Sequence, residues 1–272
     1  MSYVWFFLYA LWYTLGAVVI CGLAVSLCRK LFVSMMGGGF GRGVVMATSI
    51  VGTPVHELGH AVMCLLFGHR ITDMALWQPR AKDGNLGFVT HAYRKRNLYH
   101  VLGNLFIGIG PIFSGLGVLT LALWLGFPQT FSDYAATAVR VATAGEGGLF
   151  LAGEGLKMLP RMWRELTVEG TVPLWGRIAA LLVIFSVAQH ISLSPADIKG
   201  ALTAIPLYLV LILILTGICG MLGQPAMDNV TEALALFSAC LTALFVVVLV
   251  CASIQLVIAL PVWMIRKLLR LP

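Results

Sequence analysis

The stretch His56-Glu57-Leu58-Gly59-His60 has the residue types and spacing best suited to chemistry in this chain. Residues four apart share one face of a helix. The imidazoles of His56 and His60 can therefore reach one zinc ion, at bonds of about 2.0–2.1 Å. Glu57 follows the first ligand and stands where it can take a proton from a metal-activated water. All three lie in the apolar run Val44 to Gly68. Ionisable groups in such a run are costly and by default point to function. The plainer reading is a pair of packing histidines with a glutamate counter-charge. It leaves three costly groups at ligand spacing without a common reason.

Catalytic zinc usually takes three protein ligands and keeps one open position. Asp197 follows the apolar run 174–194, in Ser192-Leu193-Ser194-Pro195-Ala196-Asp197-Ile198-Lys199-Gly200, and His190 lies near the end of that run. Asp197 is preferred as third ligand, because carboxylate is a normal zinc ligand and Pro195 and Gly200 suggest a rigid turn. Its plainer reading is an N-cap for the next helix. Asp73, Asp83, His91 and His100 fall in a polar loop. Thr53-Pro54 reads as a helix start, with a break near Gly52.

Positioning these residues is a task for membrane helices. The chain has 272 residues, 60% hydrophobic and 11% charged, with a mean hydropathy of +0.94. Soluble domains average roughly 45–50% apolar and about 25% charged. A spanning helix needs about 20 mostly apolar residues, whereas barrel strands need only about 9–11. Six runs qualify: 3–28, 44–68, 98–126, 174–194, 201–222 and 233–265. The expected fold is an all-α polytopic membrane protein, one integral domain over 1–272, with a metalloprotease core over 44–200. The long first run, with no basic residue before Tyr3, reads as an uncleaved anchor.

Two segments break the helical pattern. Arg70 to Pro79 and Leu86 to Ala92 read as strands joined by the turn residues Lys82-Asp83-Gly84-Asn85, giving a small membrane-associated β-hairpin within the loop 69–97. Its free edge could pair with an extended peptide, or it is an ordinary surface hairpin. The stretch 127–173 reads as an interfacial loop, with Leu156 to Leu166 suited to a helix lying in the interface. Gly37-Gly38-Gly39-Phe40-Gly41-Arg42-Gly43 lacks the setting of a phosphate cradle and reads as a flexible connector.

The net charge of +7 does not imply nucleic acid. The basic residues cluster beside the spans (Arg29-Lys30, Arg94-Lys95-Arg96, Arg266-Lys267 with Arg270), where they act as topology signals and lipid contacts. Their balance favours cytoplasmic termini, although Arg29-Lys30 opposes it. Cys21, Cys28, Cys64, Cys219, Cys240 and Cys251 lie in apolar runs without a CxxC pair and read as small buried hydrophobes.

On these motifs the sequence resembles the site-2 protease family of intramembrane zinc metalloproteases. His56, Glu57 and His60 match its HExxH span. Pro195-Ala196-Asp197 matches the Pro-x-Asp part of its second motif, with Gly200 in place of the glycine that normally follows. Gly110-Pro111-Ile112-Phe113-Ser114 resembles its Gly-Pro-x-x-Asn element, with serine for asparagine. The hairpin after the metal helix is also family-like. The likeness runs from about Val44 to Gly200.

The resemblance implies one zinc ion per chain, held by His56, His60 and Asp197. It implies hydrolysis of a peptide bond in a membrane protein, a single-span one by expectation, in a bacterial inner membrane. Glu57 would move the proton to the leaving amine, and His190 or Asn104 would donate to the developing oxyanion. A metal-binding transporter or sensor, or an inactive scaffold of the same fold, is the alternative.

Overall fold

A computed structural model of the chain describes residues 2–80, 85–144 and 148–269. It is mostly helical. α1 (Tyr3–Leu11) runs through a π-helical turn (Trp12–Gly16) into α2 (Ala17–Met36). Gly37 ends α2 with a φ of 81°, a left-handed conformation open to glycine at little cost. The next helix, α3 (Gly38–Leu66), begins at once. Most of the expected glycine connector is therefore helical. α3 also runs unbroken through Pro54, so the helix start expected at Thr53 is absent.

The end of α3 is set by Gly68, at φ 69°. His69 N–H donates to Cys64 O at 2.8 Å and Gly68 N–H to Leu65 O at 3.2 Å, the paired bonds of a Schellman stop. This turns the chain directly into β1 (Arg70–Ala75), which pairs antiparallel with β2 (Phe88–Ala92). Ile71 faces His91 and Asp73 faces Thr90, so Thr72 bulges out of register. The strand expected to reach Pro79 stops at Ala75, although Gln78 N–H still donates to Leu86 O at 2.7 Å. Lys82, Asp83 and Gly84 of the expected turn lie outside the described residues.

Asn97 then caps α4 (Leu98–Gly126), its side-chain oxygen accepting from Tyr99 N–H at 3.0 Å. Helices also fill the region expected as an interfacial loop: α5 (Pro128–Ala144), α6 (Gly148–Leu156), α7 (Met158–Arg164) and a π turn (Glu165–Glu169). The buried Glu165 carboxylate accepts from Gln129 N–H at 3.2 Å, Thr130 N–H at 3.0 Å and the Thr130 hydroxyl at 2.8 Å. It caps α5 from a distant segment. Tyr134, Ala138 and Val141 of α5 enter the main core with Met158 and Met162 of α7. For α5 the fold replaces the expected loop with a helix, whereas α7 falls within the helix expected over Leu156 to Leu166.

α8 (Leu174–His190) and α9 (Pro195–Leu202) meet at a 61° bend, followed by α10 (Ile205–Leu222) and α11 (Gln224–Leu268). Among the described residues four helical stretches are long and apolar enough to cross a membrane: Tyr3–Met36, Leu98–Gly126, Ile205–Leu222 and Gln224–Leu268, with the bent α8–α9 pair a fifth. This is consistent with a membrane protein. The sixth expected run, 44–68, is helical but is not among them; its histidines, glutamate and glycines dilute its apolar character. The outward faces carry large exposed apolar side chains, among them Leu23 and Leu27 of α2 and Leu58, Val62 and Leu65 of α3. Faces of this kind fit lipid rather than water. All six cysteines are free, and Cys240 is exposed rather than buried.

Candidate metal centre

α3, which carries His56 and His60, is held against α4 at a glycine contact. A Cβ on Gly59 would lie 2.7 Å from the carbonyl of Gly110, and one on Gly110 would lie 2.6 Å from the carbonyl oxygen of Gly59. Small residues let membrane helices approach this closely. Next to this contact, the Ser114 hydroxyl donates to Val55 O at 2.8 Å. His56 and His60, on the face of α3 turned inward, are thus pressed against α4 and α8.

Each imidazole finds a carbonyl that its own helix cannot use. Pro111 has no N–H, so in α4 the carbonyl four residues earlier, Ile107, lacks its helical donor. His60 Nδ1 meets that oxygen at 2.7 Å. His190 closes α8, where the last carbonyls are unsatisfied, and His56 Nδ1 meets its oxygen at 2.7 Å. A ring nitrogen facing a carbonyl oxygen must be the donor. In the neutral ring, each Nε2 is then a lone pair.

Those two lone pairs face each other at 3.2 Å. Asp197 Oδ1 lies 3.2 Å from Nε2 of His60, and Asp197 Oδ2 lies 3.6 Å from Nε2 of His56. Electron-rich atoms gathered this closely repel one another unless a cation sits between them. A tetrahedral site with bonds of about 2.0–2.1 Å has edges of roughly 3.3–3.4 Å, close to this spacing. His56, His60 and Asp197 form a group that could hold a metal ion. Nδ1–H bonds to backbone carbonyls are the usual outer support of such ligands, fixing tautomer and ring orientation.

The chain after α8 places the carboxylate. Ser194 Oγ accepts from Asp197 N–H at 3.2 Å, and Asp197 Oδ2 accepts from Ser194 N–H at 2.6 Å, a capping box at the start of α9. The cap and a place in the group that could hold a metal ion are therefore compatible for Asp197. The cap locks the carboxylate in the direction that meets the imidazoles.

Glu57, His190 and Asn104 line the same cavity, of about 520 Å³, as the three possible ligands. Glu57 is buried, and Gly87 of the hairpin covers it: a Cβ there would come within 2.8 Å of Glu57 Cγ. His190 stands apart from the metal-holding group. Its Nε2 meets Thr48 Oγ1 at 3.2 Å and its Nδ1 meets Thr53 Oγ1 at 3.4 Å, so both ring nitrogens are engaged with α3. Its backbone carbonyl, rather than its ring, touches His56. Asn104 Nδ2 donates to Thr203 Oγ1 at 3.1 Å.

Two residues at the cavity were misjudged in the sequence. Arg29 looks like a flanking topology charge, yet α2 continues to Met36, so Arg29 sits inside the helix and lines the cavity. The apolar Leu31-Phe32-Val33 that follow it carry the signal. His91, placed with the polar loop, lines the cavity from β2. His69 Nε2 donates to His100 O at 2.8 Å, and His69 Nδ1 lies 3.0 Å from His91 Nδ1. Burial lowers the pKa of His69, and burial with the nearby His69 lowers that of His91. Both neutral rings then have one arrangement: His91 Nδ1–H donates to His69, leaving His91 Nε2 as an acceptor. Of the other residues placed in the polar loop, Asp73 accepts from the N–H of Met74 at 2.9 Å, and His100, which the structure places in the first turn of α4, accepts at Nδ1 from Arg94 N–H at 3.3 Å.

Comparison of the chain with protein-family models, with curated proteins and with solved structures gives no match.

Proposed function

We propose that this chain is an intramembrane zinc metalloprotease, a divergent relative of the site-2 proteases, acting on membrane proteins in a bacterial inner membrane. The observation that carries the proposal is the meeting of two tautomer-fixed imidazoles and a capped carboxylate, with Glu57 on the same cavity wall. A set of two nitrogens and one oxygen suits zinc and leaves a fourth position for chemistry. Zinc bound there would supply Lewis acidity towards a carbonyl oxygen and acidify water.

The remaining work belongs to the side chains. Glu57 takes a proton from the attacking water and delivers it to the leaving amine nitrogen, so that water and a peptide bond become an acid and an amine. His190 holds His56 through its carbonyl, which replaces the oxyanion role expected for its ring. Asn104 has a second N–H beyond the one given to Thr203, available to a substrate carbonyl. Leu86 to Val89 line the cavity, so an extended substrate segment can lie beside the β2 edge.

The test is Glu57→Gln in purified protein, assayed on a single-span substrate. The metal content is expected to stay and cleavage to fall by about 10²–10⁴-fold. Unchanged cleavage contradicts the proposal. Retained metal transport by the variant favours a transporter.

A further inference from the structure

Arg29 is a cation inside an apolar helix, and intramembrane charges are kept for a reason. Its Nη1 donates to Ser192 Oγ at 2.8 Å. Among the described residues it has no carboxylate within ion-pair distance; Asp197 lies instead against Nε2 of His56 and His60. A guanidinium carries five N–H donors, so most of its capacity is unspent. It lines the cavity with Glu57 and Asp197, the other formally charged residues there besides histidines. With a divalent ion present, the two carboxylates offset the ion and Arg29 leaves one positive charge over. A cleft that is net positive and carries a planar fork of donors favours an anion that can be gripped at two points.

We infer that Arg29 receives a carboxylate of the substrate, beside the Ser192–Ser194 turn, and so selects which segment is cut. This rests on the protease reading. The carboxylate comes from a free chain end or from an Asp or Glu side chain. Two further features of the molecule carry less. The His69–His91–His100 cluster is tied up within itself and with backbone. The groove around Phe113, Leu121 and Trp124 is apolar with nothing to name its occupant.

The experiment uses one cleavable peptide in three forms: free carboxy terminus with an internal Glu, carboxy-terminal amide, and internal Glu→Gln. Binding is measured by anisotropy on the Glu57→Gln protein, and cleavage on the zinc-loaded chain. One neutralised form is expected to bind about tenfold to a hundredfold more weakly, and that form names the source. Arg29→Gln is expected to erase the difference between forms, and Arg29→Lys to keep part of it, with the melting temperature of each variant checking the fold. Equal weakening of all three forms by Arg29→Gln reduces Arg29 to a support for the turn and overturns the inference, while the protease reading stands. Absence of binding and cleavage for every form sinks both.

Discussion

Pro111 and His60 are coupled through one carbonyl. Ile107 O is left over by the proline and taken by His60 Nδ1. Replacing Pro111 by Ala returns a helical N–H to compete for that oxygen. Metal affinity of Pro111→Ala is expected to fall by about 10–100-fold, the usual cost of losing an outer-shell partner, as measured by competition with a chelator. An unchanged affinity would mean that the Ile107 contact does not orient the ring. At this scale much was legible. His56, Glu57 and His60 stand out because packing alone gives no reason for three costly residues at ligand spacing in an apolar run. Asp197 was legible through its Pro and Gly neighbours. Arg29 was hidden because a basic residue after a long apolar run normally marks the end of a span. The carbonyl partners of the histidines have no side-chain signature at all, beyond a proline four residues away.

At the scale of elements, Gly59 decides how closely α3 approaches α4. Gly59→Ala places a methyl against Gly110 and Ser114. It is expected to destabilise the protein by about 1–3 kcal/mol, a typical cost of overpacking, read as a lower thermal midpoint in detergent. No change would show that the two helices can separate freely. The hairpin has its own test. His69 and His91 have lowered pKa values in the fold, so below about pH 6.5 the unfolded segment binds protons that the folded one refuses. Its stability is whole above that pH and declines as the pH falls through the window beneath it. Hydrogen exchange over Arg70–Ala92 is expected to quicken from pH 7 to pH 5 relative to α4. Equal behaviour of the two regions contradicts the neutral His69–His91 pairing. The helices over 98–126 and 174–190 were legible almost to their ends, since apolar length alone specifies them. The strand after Ile71 was legible as a strand but not in its bulge, and α5 was missed because its inward residues alternate with polar ones that suggest a surface.

For the whole molecule, the cavity is lined from α2, α3, α4, α9 and β2 with His190 of α8, and on the protease reading its substrates would arrive with their backbone already paired within a transmembrane helix. Substrates weakened near the cut by Gly or Pro are expected to be cleaved faster than helix-stabilised versions of equal length, in a side-by-side assay; equal rates contradict a requirement for unwinding. The number of spans was less legible than their positions, because α3 trades apolar character for its site and α11, at 45 residues, runs to roughly 68 Å, about twice the hydrocarbon thickness. Neither feature can be read from apolar length alone. The most direct measurement is an anomalous-difference map at the zinc absorption edge, from crystals of the purified protein. A single peak bonded to His56 Nε2, His60 Nε2 and Asp197 is the expected result. A protein that cleaves its substrate with no peak between those three side chains would contradict the account.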